Sequence, residues 1–192
     1  MRCVGRGSET RGFEAMVKGV VMGKVIAVLV AMGLGGMVAG GEVAGWEFEG
    51  AGDFEGWEAN GHVGEAAVRD GGLAGKGVGS DPFFSLRDVN FAAEANQYVK
   101  MRVKADESGE FSLFWSGTFE GENGGLSEGK KTVFGVKGDG EWHEVAGFPF
   151  WQGEGRIRQM RLDVYEGSFE VDWIRVVERN VGKAEQSGGR LR

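Results

Sequence analysis

Hydrophobic and polar residues alternate with a period of two in many short runs after residue 44, and Gly, Asp and Asn separate these runs. The clearest run is Tyr98–Ala105, in which the apolar side chains point one way and the Lys and Arg side chains point the other. Asp70-Gly71-Gly72 is a hairpin signal. The pattern predicts strands at Trp46–Glu49, Phe54–Asn60, Glu65–Arg69, Leu73–Gly77, Phe83–Leu86, Tyr98–Ala105, Glu110–Ser116, Lys131–Val136, Glu141–Val145, Arg156–Val164 and Ser168–Val177.

Short strands at this spacing are typical of a sandwich or a barrel and not of a parallel α/β sheet. The one helical candidate, Asn90–Asn96, is too short to change that interpretation. A chain of 192 residues suits one domain with a buried core, and its 37 glycines suit many tight turns. We therefore predict an all-β sandwich over residues 45–178, followed by a flexible polar tail over 179–192.

The first 40 residues have a different composition. Five basic residues lead into the uncharged run Val25–Val38, and small residues follow it up to Gly41. This layout is typical of a secretory signal peptide, with Met16 or Met22 as the true start. The run is short for a membrane span, which needs ~20 apolar residues, but an N-terminal anchor that stays in place is the alternative. We expect a secreted protein, extracellular, periplasmic or at the cell surface, with no integral span in its mature form.

Charge and cysteine content narrow the classes of partner. From residue 41 onward the chain has 17 basic and 27 acidic residues, a net charge of −10. Such an acidic surface disfavours nucleic acid and anionic membranes. The sole cysteine, Cys3, lies in the predicted signal peptide, so the mature domain has no disulfide and depends on its core or on a metal. We expect a monomer.

Catalytic residues are not predicted. The two histidines, His62 and His143, are isolated from any nucleophile motif and do not make a zinc signature. Glu170 and Asp172 share one strand face, which is one arrangement of carboxylates that a glycosidase could use. In a domain this acidic, however, such pairs are expected on the solvated surface anyway.

The aromatic residues are more informative, because six tryptophans are too many for one small core to bury completely. Phe114 stands on a strand face that otherwise carries serines, and Trp151 lies in a glycine-bounded loop. Gln159, Arg161 and Asp163 share one face of a predicted strand. Aromatic rings stack on the C–H faces of sugars, and planar polar groups bind sugar hydroxyls, so these five residues are a candidate carbohydrate platform. Ordinary packing beneath a polar outer face is the alternative.

Several short motifs, in this order along the chain, resemble galactose-binding-like jelly-roll domains, as found in non-catalytic carbohydrate-binding modules of secreted bacterial proteins. The motifs are Trp46-Glu47-Phe48, Asp53-Phe54-Glu55-Gly56-Trp57, Ser80-Asp81-Pro82-Phe83, Leu113-Phe114-Trp115, Asp139-Gly140-Glu141-Trp142-His143 and Glu170-Val171-Asp172-Trp173. The resemblance implies a two-sheet antiparallel jelly roll in which the first and last strands, Trp46–Glu49 and Phe169–Val176, lie side by side. It also implies a structural calcium near that edge, with Glu47 and Asp172 at the positions of its acidic ligands.

These observations lead to one main functional hypothesis, a secreted non-catalytic domain that binds a polysaccharide or glycan. A structural or protein-interaction domain of the same fold is the second hypothesis. A small sandwich-type glycoside hydrolase or lyase is the third.

Overall fold

The alternation of apolar and polar side chains produces eleven β-strands in residues 41–179, the part of the chain that the computed structural model describes. The strands are β1 (Glu42–Trp46), β2 (Trp57–Ala59), β3 (Val63–Arg69), β4 (Gly72–Gly77), β5 (Phe83–Ala92), β6 (Gln97–Ala105), β7 (Gly109–Ser116), β8 (Lys131–Val136), β9 (His143–Gly147), β10 (Arg156–Asp163) and β11 (Ser168–Glu178). Two short 3₁₀ turns, Glu122–Gly125 and Gln152–Glu154, lie in loops. The all-β prediction is confirmed.

The predicted signal peptide over 1–40 and almost all of the predicted tail, from residue 180, lie outside the described residues. The helical candidate Asn90–Asn96 is wrong, because its first three residues continue β5 and the rest form the turn into β6. Within residues 41–179 no helix is long and apolar enough to cross a membrane.

The strands form two antiparallel sheets that make a jelly-roll sandwich. The first sheet has the order β3-β4-β11-β6-β9, and β1 also pairs with β11. The second sheet has the order β2-β5-β10-β7-β8. Between β3 and β4 the turn is made by Asp70 and Gly71, with φ of 52° and 79°. Positive φ at both positions is the requirement of a type I′ hairpin turn, so the Asp-Gly signal predicted this turn correctly.

The first and last strands pair as the resemblance implied, although the first strand begins and ends earlier in the chain than expected. Trp46 lies opposite Ile174 and Glu42 opposite Val177, so the first strand ends at Trp46 and not at Glu49. The strand ends there because Phe48 has a left-handed backbone, with φ of 51°, and buries its ring completely. The carboxylate of Glu55 accepts hydrogen bonds from the backbone N–H groups of Glu47 and Phe48 and stabilises this bend.

The core lies between the two sheets and uses one side of every long strand. On β6 the inward residues Val99, Met101 and Val103 are at most 1% exposed, as the alternation predicted. Phe111 and Phe169 meet across the sheets in an edge-to-face contact with ring centroids 5.3 Å apart. Because the inner faces are fully used by apolar packing, a ligand has access to the outer faces and the loops.

The outer face of the first sheet carries cations that are already engaged. Arg102 and Lys104 each lie 5.0 Å from the centre of the Trp142 ring. Their ion-pair partners are Asp172 at 2.6 Å and Glu170 at 2.8 Å, respectively. Lys100, the third outward cation of β6, lies 5.0 Å from the centre of the Trp173 ring, so all three are stacked on tryptophan and two of them are paired with carboxylates.

Candidate functional site

Cross-strand register on the second sheet assembles a row of functional side chains on its outer face. Arg161 of β10 lies opposite Phe114 of β7 on one side and Ser85 of β5 on the other. Two residues further along β10, Asp163 lies opposite Phe83 of β5. Since alternate residues of a strand share a face, the row continues to Gln159 on the same strand. Three adjacent strands thus present aromatic, cationic and acidic groups at one place.

These side chains form the floor of a groove of about 650 Å³, within the usual range of ligand sites. One wall is the loop 117–129 between β7 and β8, called here the wall loop, and the other is the segment before β5 that carries Asp81. The groove is lined by Asp81, Phe83, Ser85, Arg87, Phe114, Phe119, Asn123, Gly124, Leu126, Ser127, Glu128, Gln159, Met160, Arg161 and Asp163. Four of the five residues predicted for the platform, Phe114, Gln159, Arg161 and Asp163, line it.

Arg161 is the centre of the groove floor. Its guanidinium stacks on Phe83, with the central carbon 3.8 Å from the ring centre. It donates two hydrogen bonds to the carboxylate of Asp163, at 2.5 and 3.0 Å, and a third to Asp81. Its Nη1 atom has no hydrogen-bond partner among the described residues, so Arg161 keeps a donor for a ligand. Stacking and the bidentate pair fix the plane of the guanidinium.

Asp163 is the most desolvated acid of the floor. Burial raises its pKa above the ordinary aspartate value, and the hydrogen bonds from Arg161 oppose that rise. Both of its carboxylate oxygens accept from Arg161. Asp163 therefore fixes the orientation of Arg161 and presents acceptor charge to the groove.

The aromatic part of the site differs from the prediction. Phe114 is in the groove but only 9% exposed, because Lys131 and Arg161 lie 5.4 and 5.7 Å from its ring centre. Phe119, on the wall loop, is 39% exposed and offers more accessible ring surface, although the Arg158 guanidinium lies 5.6 Å from its ring centre. Sequence reasoning missed both Phe83 and Phe119. The first could have been found, because Phe83 and Ser85 alternate outward from Phe84 and Leu86, whereas the irregular wall loop gives no period.

Gln159 has a role other than the one predicted from its position. Its side-chain nitrogen donates to the backbone carbonyls of Thr118 and Gly124, each at 2.5 Å, and the residue is 5% exposed. The base of the wall loop is also tied down, since the carboxylate of Glu154 accepts from the Gly117 N–H at 2.8 Å and pairs with Lys130 at 2.9 Å. Gln159 thus holds the wall loop over the groove.

Trp151 does not join the groove, and its predicted place in the platform is wrong. It is 1% exposed, and its indole N–H donates to the side-chain oxygen of Gln97 at 2.8 Å. Its ring makes edge contacts with Phe91 and Trp115, with centroids 5.3 and 5.9 Å apart. The exposed ring of this loop is the preceding residue, Phe150, at 79%. Because its ring is packed among other aromatic rings and its indole N–H donates to a buried glutamine, Trp151 is a core residue.

The predicted calcium ligands are both engaged by arginine. Glu47 forms a bidentate salt bridge with Arg175, at 2.6 and 2.7 Å, and Asp172 forms a salt bridge with Arg102 at 2.6 Å. Within residues 41–179 no three His, Cys, Asp or Glu side chains are grouped as a metal site would require. Calcium takes six to eight oxygen ligands. The side chains at this edge therefore do not fit the ion.

Comparisons with known proteins give structural likeness without sequence kinship. No family model matches the chain. No curated protein matches it either. Among solved structures, the chain is similar to BiXyn10A CBM1, with 14% identity, coverage of 72% of this chain and 99% of that one, and a TM-score of 0.48. It is also similar to CsCBM6-3 from Clostridium stercorarium, solved in complex with cellobiose, with 14% identity, coverage of 71% and 95%, and a TM-score of 0.46.

An adhesin domain is similar to the same degree. The K3 domain of Lys-gingipain from Porphyromonas gingivalis w83 has 11% identity, coverage of 72% of this chain and 100% of that one, and a TM-score of 0.48. Carbohydrate-binding modules and an adhesin domain are thus both among the structures that this chain resembles. At these identities the ligands of those proteins do not transfer to this chain.

Proposed function

We propose that this domain binds carbohydrate, without catalysis, in the groove on the outer face of the second sheet. The observation that supports the proposal best is the Arg161 guanidinium on the groove floor, which stacks on Phe83, is held by Asp81 and Asp163, and has an Nη1 donor that no described residue engages. A planar donor beside fixed acceptors matches sugar hydroxyls, which donate and accept at once.

The walls of the groove supply the apolar half of such a site. Sugar rings have C–H faces that pack against aromatic surfaces, and Phe119 offers an exposed ring beside the polar floor. Ser85, Asn123 and Ser127 line the same space and add hydroxyl and amide groups. A groove of this volume with one aromatic wall suits a short stretch of a glycan chain.

Catalysis is disfavoured by the state of the carboxylates. A general acid must present a proton to the bond that breaks, but both oxygens of Asp163 accept from Arg161. The pair that the sequence offered, Glu170 and Asp172, lies on the first sheet and is salt-bridged to Lys104 and Arg102. Neither arrangement has a free acid opposite a free base.

The experiment is affinity electrophoresis of the full-length chain through gels that contain one neutral polysaccharide each: β-glucan, xylan, mannan or galactan. We expect retardation in at least one gel. Phe119→Ala should weaken that binding about five-fold, which corresponds to about 1 kcal/mol of aromatic contact. Phe150→Ala, an equally large truncation of an exposed ring outside the groove, is the matched control and should leave binding unchanged. Absence of retardation in every gel would refute the proposal.

One observation favours a protein-interaction domain as the second candidate. Phe148 and Phe150, the aromatic tip, are 41% and 79% exposed, and Tyr98 lies 6.0 Å from Phe148 between ring centres. Exposed aromatic clusters of this kind occur at binding surfaces. If Phe150→Ser abolishes binding of the domain to its partner while Phe119→Ala leaves that binding intact, the second candidate replaces the first.

Export is part of the proposal and rests on the sequence alone. The basic lead, the uncharged run and the small residues before Gly41 support a cleaved signal peptide. Expression of the full chain in a secreting host, followed by N-terminal sequencing of the exported protein, tests it. We expect a new N-terminus close to residue 41, and an intact Met1 would contradict it.

A further inference from the structure

We infer that the groove selects uncharged glycans and rejects those that carry carboxylate groups, such as uronic acids, through the Asp81–Arg161–Asp163 cluster. This inference rests on the proposed carbohydrate function and concerns which class of glycan the same groove accepts.

The charges that line the groove are the first argument. Three carboxylates line it, those of Asp81, Glu128 and Asp163, against the two guanidinium groups of Arg87 and Arg161. Arg161 is the cation at the centre of the floor, and two of these carboxylates already neutralise it. Arg87 is exposed to solvent, where water and salt weaken its attraction for an anion.

Two cations lie beside the groove. Arg158, which is exposed to solvent, lies 5.6 Å from the centre of the Phe119 ring. Lys131 lies 5.4 Å from the centre of the Phe114 ring and pairs with Glu128 at 2.6 Å. A ligand carboxylate that accepted a hydrogen bond from Arg161 Nη1 would therefore lie on a guanidinium that Asp81 and Asp163 already neutralise. The groove cation without an ion pair among the described residues, Arg87 opposite Gln159, is exposed to solvent and compensates only weakly. The desolvation that raises the Asp163 pKa also strengthens the repulsion between Asp163 and such a ligand.

The field of the whole domain acts in the same direction. Residues 41–179 contain 14 Lys and Arg residues against 26 Asp and Glu residues, a net charge of −12. Such a field lowers the local concentration of polyanions, especially at low ionic strength. A sugar hydroxyl, by contrast, can donate to an Asp oxygen and accept from Arg161 without any cost in charge.

The test compares each neutral hexose polymer with the same polymer after oxidation of its C6 alcohols to carboxylates, using the full-length chain in affinity electrophoresis. For the neutral polymer that binds best, we expect the oxidised form to bind at least ten-fold more weakly in 0.1 M salt. The ratio should shrink in 1 M salt, because the rejection is electrostatic. A ratio that salt does not change would show that the carboxylate is excluded by shape, which would overturn the inference.

A charge-neutralising variant locates the effect. Asp81→Asn should raise affinity for the oxidised polymer relative to the neutral one by at least three-fold. Asp70→Asn changes the net charge equally, but it lies in the β3–β4 turn of the other sheet, where Asn suits the positive φ. It should leave the ratio unchanged. If Asp81→Asn fails to fold, Glu128→Gln, at a side chain 79% exposed, carries the same expectation.

The outcomes separate this inference from the proposed function. Equal binding of neutral and oxidised polymers, or equal effects of Asp81→Asn and Asp70→Asn, would overturn the selectivity and leave carbohydrate binding intact. Binding of oxidised polymers alone would do the same. If no polymer of either kind is bound, the proposed function fails and the selectivity fails with it.

Discussion

Trp151 and Phe150 are neighbours in one loop, and truncation of the two rings should have opposite consequences. Trp151→Ala removes a ring that is 1% exposed, together with its hydrogen bond to Gln97. Phe150→Ala removes a ring that is 79% exposed. Because Ala tolerates the backbone φ of 50° at residue 150 no better than Phe does, that change does not relieve strain.

The magnitudes follow from burial. Truncation of a fully buried Trp leaves a cavity and costs about 3–5 kcal/mol of unfolding free energy, whereas an exposed substitution stays within about 0.5 kcal/mol. Gln97 keeps a second partner for its side-chain oxygen, the backbone N–H of Glu94 at 2.9 Å, so the lost hydrogen bond leaves no orphaned acceptor. At about 3 °C per kcal/mol, Trp151→Ala should lower the midpoint of thermal unfolding by about 10 °C or more.

Thermal and urea unfolding followed by circular dichroism measure both variants beside the wild type. Trp151→Phe, which keeps an aromatic ring and loses the N–H donor, should fall between them at a cost of about 2 kcal/mol. It should retain full glycan affinity at 20 °C. If Trp151→Ala were as stable as the wild type and Trp151→Phe lost glycan binding, the indole would be a ligand contact, and its assignment to the core would be refuted.

Three further perturbations test particular features. Burial and the hydrogen bond to Asp106 raise the pKa of Tyr165 to about 12. Alkaline titration of the two tyrosines, followed by absorbance at 295 nm, should therefore show one late transition. Tyr165→Phe should remove that transition, and Tyr98→Phe should retain it. Because the folded pKa lies above the unfolded value, this stabilisation is complete below about pH 10 and is lost as pH rises through about 12; loss of the late transition in Tyr98→Phe alone would reverse the assignment. Gly138→Ala should lower the unfolding free energy by about 1–3 kcal/mol or more, because its Cβ would lie 1.9 Å from the backbone of Glu107. Gly135→Ala, in open space on β8, should be neutral or slightly stabilising, and equal effects of the two would contradict the packing at residue 138. Gln159→Met should remove the two hydrogen bonds from this side chain to the wall loop, weaken glycan binding at least five-fold and cost about 1–3 kcal/mol of stability. Unchanged binding would show that this hold on the wall loop is irrelevant to the ligand.

The strands could be predicted from the sequence because period-two alternation reports directly which side of a sheet is buried. The outward groups of β10 were identified in this way, and register then placed Arg161 and Asp163 together with Phe114. What could not be predicted was how the residues pair across strands. Phe83 became the stacking partner of Arg161 through the β5–β10 register, which no local pattern encodes.

Two candidate residues, Trp151 and Gln159, have contacts that their own segments do not reveal. Trp151 and Gln159 both have polar groups whose partners come from distant parts of the chain, namely Gln97 in β6 and the carbonyls of the wall loop. Each was assigned to ligand binding because its partner was not visible in its own segment. Glu47 and Asp172, which the resemblance placed at a calcium site, also pair with arginines from other strands, on β11 and β6.

The central claim is that glycan binds in the groove of the second sheet, and shift mapping by NMR tests it most directly. The ¹⁵N-labelled full-length chain would be titrated with oligosaccharides of the polymer that retards it in gels. We predict that the perturbed signals belong to β5, β7, β10 and the wall loop, and that the side-chain signals of Arg161 and Gln159 shift with them. Perturbations that cluster instead at the aromatic tip, Phe148 and Phe150, with the groove unchanged, would contradict it.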